Sequence, residues 1–279
     1  MAESRPPDGQ ASPRPRGRPK AFHDTTEQNT VQSLDRALGL LRVLADAPGL
    51  TLSELASRSG QAPATVYRAL ATLQAHGMAE VEEAGQLWHI GGGAFRIGSA
   101  FLRRTKVVER ARQPMEALMR ATGETANLGV ESGDQVLFLS QVETHEAIRA
   151  FFPPGTKGPM HVSGIGKALL AWYPAEKVAG IIARQGLARF TALSITDAPG
   201  LGADLALTRG RGYAVDDQER AEGMRCIAAP VFNAYGEPVA GLSVSGPAFR
   251  VSLADAGRIG ALVRDAANRV TEATGGVRP

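Results

Sequence analysis

The stretch LTLSELASRSGQAPATVYRALATLQAHG, Leu50 to Gly77, constrains the fold more than any other part of the chain. Thr51 or Ser53 can cap a short helix that carries Leu52, Leu55 and Ala56 inward. Gly60 ends that helix, and Pro63 stands where a first-turn proline starts another, since the N–H it lacks would find no partner there. The second helix sets Val66, Leu70 and Leu73 on one stripe and stops at Gly77. Two short helices joined by a tight, glycine-containing turn make a helix-turn-helix pattern.

With that stripe turned inward, Ala64, Thr65, Tyr67, Arg68 and Ala71 must point away. Small residues near the helix start allow close entry into a major groove, and Arg68 can contact phosphate or guanine. After Gly77, MAEVEEAGQLWHIGG reads as two short strands around Glu83–Gln86 with Gly85 in the turn, the hairpin of a winged helix-turn-helix. Before it, Leu34, Ala37, Leu38, Leu41 and Leu44 recur as one helix face that ends at Ala47–Gly49.

The formal charge of +3 is modest, but its placement is uneven. PRPRGRPKAF, Pro13 to Phe22, crowds Arg14, Arg16, Arg18 and Lys20 into a proline-rich arm. Prolines keep such a segment extended. Arg16 and Arg18 flank Gly17, which has no side chain to hold the backbone off a surface, so the pair fits a narrow A·T-rich minor groove. Arm, outward helix face and wing together point to double-stranded DNA.

At 279 residues and 43% hydrophobic, the chain has room for two domains with packed cores. GGGAFRIGSAFLRRT returns to helical period with Ala94, Ile97, Phe101 and Leu102 apolar; a second helix, Val107 to Thr122, contains Pro114. These two helices read as a connector. Beyond them, hairpins alternate with helices. ANLGVES and QVLFLSQVE turn at Ser132–Asp134, and AIRAFF reads as a following strand. SGIGKALLAWY, PAEKVAGIIARQG and a segment near Ala203–Arg209 read as helices; GYAVDDQE, CIAAPVFNA and VAGLSVSG read as strands, with a terminal helix from Leu253 to Thr274. The pattern is α+β with a largely antiparallel sheet. The expected domains are an arm at 1–29, a winged helix-turn-helix at 30–92, a linker helix at 93–106 and a second domain at 107–279.

The second domain offers parts for a small polar pocket. Ser243 and Ser245 share a strand face, and Gly164 opens a helix whose first N–H groups attract anions. Amides at Gly164 and Ile165, hydroxyls at Ser243 and Ser245, and a nearby Cys226 suit a carboxylate. Catalytic readings are weaker. Cys226, His161 and Asp216 are a conceivable nucleophile, base and orienter, yet nothing in their spacing brings them together. GIGKA fails as a phosphate loop, because His161 replaces the upstream glycine and Ala168 the Ser or Thr after lysine. Gly91–Gly93 lack dinucleotide spacing, and the five histidines show no metal spacing, so neither cofactor nor metal is expected. Cys226 is the only cysteine and no apolar run approaches the roughly 18 residues of a bilayer span, which favours a reducing, cytoplasmic home.

LSELASRSGQAPATVYRALATLQAHG, HVSGIGKALLA and GYAVDDQERAEGMRCIAAPV together resemble the IclR family of bacterial transcription regulators, from about Thr30 to Ala273. The resemblance implies a linker helix used in dimerisation and an effector domain with a curved antiparallel sheet flanked by helices. It also implies dimers or tetramers that bind palindromic operators and sense small organic acids. Carried over by residue, it places an effector on the amides of Gly164 and Ile165 and the side chains of Asp216, Cys226, Ser243 and Ser245. The chain is similar as well to glyoxylate-responsive members, so a two- or three-carbon 2-oxo acid such as glyoxylate or pyruvate is the expected ligand. An apolar cover is expected around Ile148 to Phe152. Two other functions stay open at this level: a small-molecule enzyme tethered to DNA, and an architectural DNA-binding protein without an effector.

Overall fold

The computed structural model describes residues 30–279 except 83, 85 and 105, with 101–104 in backbone only. The basic arm, with Arg16 and Arg18, lies outside the described residues. The chain divides after Ile97 into two compact units.

The first unit begins with α1 (Gln32–Ala45), α2 (Leu52–Ser59) and α3 (Pro63–Ala75), followed by the hairpin of β1 (Ala79–Glu82) and β2 (Leu87–Ile90). Thr51 is the cap of α2. Its hydroxyl accepts from the Glu54 N–H at 3.3 Å and the Glu54 carboxylate accepts from the Thr51 N–H at 2.8 Å, so each closes an otherwise unpaired donor. Gly60 takes the left-handed conformation (φ 64°) that ends α2, and Pro63 opens α3. Leu55, Val66 and Leu70 close with Leu40, Leu44 and Trp88 into one core, and Leu73 packs half-buried at its edge.

The apolar face expected on α1 is split. Leu40 and Leu44 are buried, whereas Leu34 and Leu38 stay exposed. Period identifies an apolar face but not whether the same chain covers it.

α4 (Gly92–Arg104) crosses the division between units. The second unit continues with α5 (Val107–Thr122), β3 (Thr125–Glu131), β4 (Gln135–Val142), β5 (Lys157–Pro159), α6 (Gly164–Leu170), α7 (Ala175–Gln185), α8 (Ala198–Arg211), β6 (Ala214–Asp217), β7 (Met224–Phe232), β8 (Pro238–Pro247) and α9 (Ala256–Ala273). The curved sheet is antiparallel throughout, in the order β5-β4-β3-β8-β7-β6.

Strand alternation sends the two sheet faces into different cores. Leu128, Ile227, Ala229, Leu242 and Val244 pack toward α5 and α9. Val136, Phe138, Ala214 and Ala228 pack toward α6, α7 and α8. On that second side α6 lies close to the strands: a Cβ added at Gly241 would meet Ile165 Cγ2 at 2.7 Å, and one added at Gly129 would meet Ile165 Cδ1 at 3.4 Å.

The segment Ala147–Phe152 is not a strand. Pro153 and Pro154 follow it and carry no N–H for a ladder, so β4 pairs instead with β5, beyond the prolines.

Leu70 is fully buried in the first unit, and Leu70→Ala should destabilise that unit by about 2–5 kcal/mol. Trp88 lies in this unit and Trp172 in the other, so each can be read alone after the other is changed to Phe. In denaturant, the Trp88 transition should shift to lower concentration while the Trp172 transition stays in place.

Candidate functional site

Two regions bear on function. On α3, Ala64, Tyr67 and Arg68 are exposed and Thr65 is half-buried, so none of the four is consumed by the core. Thr65, Arg68 and Thr72 also line one side of a groove of about 1040 Å³, whose other wall is Leu34, Leu38 and Leu41 of α1.

The second region is a cavity of about 60 Å³ between α6 and the sheet. Gly164, Ile165, Asp216, Cys226 and Ser245 line it. These come from one helix start and three strands, because Asp216 stands opposite Cys226 and Cys226 opposite Ser245 in the ladder. Ser243 shares the face two residues back on β8 but is fully buried and not on the cavity wall; its hydroxyl has no hydrogen-bond partner among the described residues.

At the start of α6, Ser163 takes one free donor and the first intrahelical bond. Its side chain accepts from Gly166 N–H at 3.4 Å and its carbonyl from Lys167 N–H at 2.8 Å. The N–H groups of Gly164 and Ile165 precede any intrahelical acceptor, both residues line the cavity, and the Gly164 N–H is directed at Cys226. A side chain at Gly164 would collide with the thiol, since its Cβ would lie 2.7 Å from Cys226 Sγ.

Burial, then the charge of Asp216, pushes the Cys226 thiol up to about 11, against the opposing pull of Ser245, Ser243 and the Gly164 N–H. It is a neutral thiol at ordinary pH. Burial first, and the Glu219 charge second, pushes Asp216 up to about 7, although its Oδ1 accepts from the Glu219 N–H at 2.9 Å. His161 is buried away from the cavity wall, with Nε2 3.0 Å from the Ala188 carbonyl. Cys226, His161 and Asp216 therefore do not assemble as a nucleophile, base and orienter around the cavity. Among the described residues, no group of three His, Cys, Asp or Glu side chains could hold a metal ion.

Residues beyond the expected polar set complete the site. Phe138 and Phe152 stack at 4.8 Å between centroids and form an apolar wall, while Ile148 and Phe151 are exposed. Arg220 lines the cavity, its guanidinium 4.6 Å from the centre of the Phe190 ring. Asn127 donates to Ser245 Oγ at 3.3 Å and accepts from Gln141 at 2.9 Å, which fixes the serine from outside the cavity. Behind α6, the wholly buried Lys167 ammonium donates to the Val215 carbonyl at 2.6 Å and to Glu219 at 2.5 Å, and lies 3.1 Å from Asp204. Of these, Phe152 falls within the apolar cover expected at Ile148 to Phe152, and Lys167 carried a signal of its own: a lysine between apolar residues in GIGKALL faces a core and requires partners.

Two family models match the chain: the IclR helix-turn-helix domain over residues 33–83, and the bacterial transcriptional regulator IclR C-terminal domain over 99–272. The HTH-type transcriptional regulator BhcR of Paracoccus denitrificans is 53% identical over 239 residues, covering 86% of this chain and 85% of that protein. The transcriptional repressor IclR of Escherichia coli is 39% identical over 271 residues, covering 95% and 98%. The crystal structure of the Thermotoga maritima IclR superposes with a TM-score of 0.76 at 26% identity, over 88% of this chain and 99% of that one.

The raised position of Asp216 has a stability consequence. Because the folded state binds this proton more tightly than the unfolded chain, the contribution is full at low pH and is lost as pH rises through about 7. Asp216→Asn should therefore raise the melting temperature relative to the parent more above pH 7 than near pH 5, as measured by calorimetry across that range.

Proposed function

The chain belongs to the IclR family of bacterial transcriptional regulators, and on that footing we propose that paired α3 helices read a palindromic operator under control of a small 2-oxo acid. DNA-binding regulation and an effector-binding domain come with the family. The ligand class, the pairing and the residue roles are the proposal.

The observation that supports the ligand class best is the cavity itself. About 60 Å³, lined by Gly164, Ile165 and Ser245 and by the stacked Phe138 and Phe152, suits a compact carboxylate-carbonyl pair. Glyoxylate and pyruvate have that size and polarity; a bulky aromatic acid would need a wider apolar wall. The exposed apolar side chains Leu34, Leu38, Phe95 and Ile97 support pairing of two copies through α1 and α4, since an uncovered apolar face is costly in water. Two α3 helices held in that way would enter successive major grooves. Arg16 and Arg18 of the arm would follow the flanking minor grooves.

The ligand acts through its different affinity for operator-competent and operator-incompetent arrangements. Ser245→Ala should abolish the response of operator binding to glyoxylate or pyruvate while leaving binding in their absence intact. A thermal-shift titration checks the ligand directly, because stabilisation grows with ligand concentration over Kd. No shift with any small carboxylate would refute the ligand class.

Arg68→Ala should weaken specific operator binding by about 1–3 kcal/mol if the guanidinium reads a base. Deleting residues 1–22 should flatten the dependence of binding on salt, because fewer phosphate-neutralising charges release fewer counterions. Both are read from operator titrations at several salt concentrations; unchanged affinity and unchanged slope would remove the respective assignments.

A further inference from the structure

The wall of the effector cavity contains a buried carboxylate, Asp216, at the place where an anion is to be seated. The charged and titratable groups around it come from every neighbouring element. From its own turn, Glu219 donates its N–H to Asp216, Arg220 reaches the cavity wall, and Asp217 is paired with Arg225 of β7 at 2.5 Å. Cys226 stands opposite on β7 as a neutral thiol. From α6 comes Lys167, and from α8 comes Asp204. His161 is occupied at Ala188, and Lys157 of β5 lines the cavity from an exposed position.

The cations near Asp216 are engaged elsewhere. Buried Lys167 donates to Glu219 and to the Val215 carbonyl and lies 3.1 Å from Asp204, which Arg211 approaches at 3.9 Å, while Arg225 is held by Asp217. Among the described residues Asp216 has no ion-pair partner. Glu219 has a second buried oxygen, Oε2, with no hydrogen-bond partner among the described residues. An arriving carboxylate would add a further negative charge beside Asp216 in a space that screens poorly.

We propose that the site binds its carboxylate effector together with one proton, which Asp216 takes up as the ligand enters. Protonated, Asp216 keeps one oxygen as acceptor for the Glu219 N–H and becomes an O–H donor toward the ligand. The inference rests on the carboxylate ligand proposed above.

The sign of the pH dependence follows. In the free protein Asp216 is held near 7 by burial and by Glu219, and the bound anion raises it further. Below about pH 6 the proton is already present, and affinity should be nearly flat. Above about pH 7.5 the proton must come from solvent, and affinity should fall about tenfold per pH unit.

Calorimetric titration of the full chain with sodium glyoxylate, in buffers of different ionisation heat, reads the protons exchanged. Uptake should be about 0.9 proton at about pH 8 and about 0.1 at about pH 6. In Asp216→Asn the uptake should vanish and the pH dependence flatten. Glu219→Gln, which keeps a carbonyl for Lys167 and removes a charge facing Asp216, should move the onset of uptake to lower pH and gives an independent reading where Asp216→Asn does not fold. Glyoxylate binding without proton uptake at about pH 8, or full uptake persisting in Asp216→Asn, overturns the inference and leaves the carboxylate reading standing. Failure to bind glyoxylate or pyruvate at all takes down both.

Discussion

A single ammonium group without access to water organises the effector unit. Lys167 reaches β6 through the Val215 carbonyl, the turn after β6 through Glu219, and α8 through Asp204. Removing a charge from water is costly unless its partners are near and well oriented, so the arrangement is tightly specified. Gly164 and Ile165 precede Lys167 on α6, and Asp216 and Arg220 flank the residues it grips. Two walls of the cavity are thus set by the same buried contact, made from behind.

The strand alternation of the sheet divides labour in a similar way. On β7 and β8 one face is aliphatic and fills the space against α5 and α9, while the other bears Cys226, Ser243 and Ser245. A one-residue slip of register would bury the hydroxyls under α9 and turn valine and leucine into the cavity. The function of the site therefore depends on pairing fixed many residues away, and the Asn127–Ser245 and Asn127–Gln141 bonds tie three strands to the same register.

Much of this architecture was legible before the structure. The Val66, Leu70 and Leu73 stripe specified which side of α3 stays outward, because a helix has a fixed period and Gly60 and Pro63 fixed its start. Alternation put Ser243 and Ser245 on one face, though not which of them the cavity would reach. What escaped was set by long-range placement. Phe138 as the stacking partner of Phe152, Arg220 at the rim and Asn127 behind Ser245 are separated in sequence from the residues they serve, and no local pattern marks them. The misread strand at Ala147–Phe152 shows the limit from the other side: β-branched and aromatic residues favour a strand, and the prolines after them decided where pairing resumed. On α1 the apolar period was correct, yet it could not say that Leu34 and Leu38 would stay exposed among the described residues.

Ile165 presses against the bare backbone at Gly129 and Gly241, leaving the helix no play toward the strands. Such a floor cannot yield to a guest that is slightly too large. For the carboxylate ligand proposed above, discrimination among homologous acids would then come from rejection by hard contact rather than from graded adjustment, and widening the repertoire would require trimming Ile165 itself.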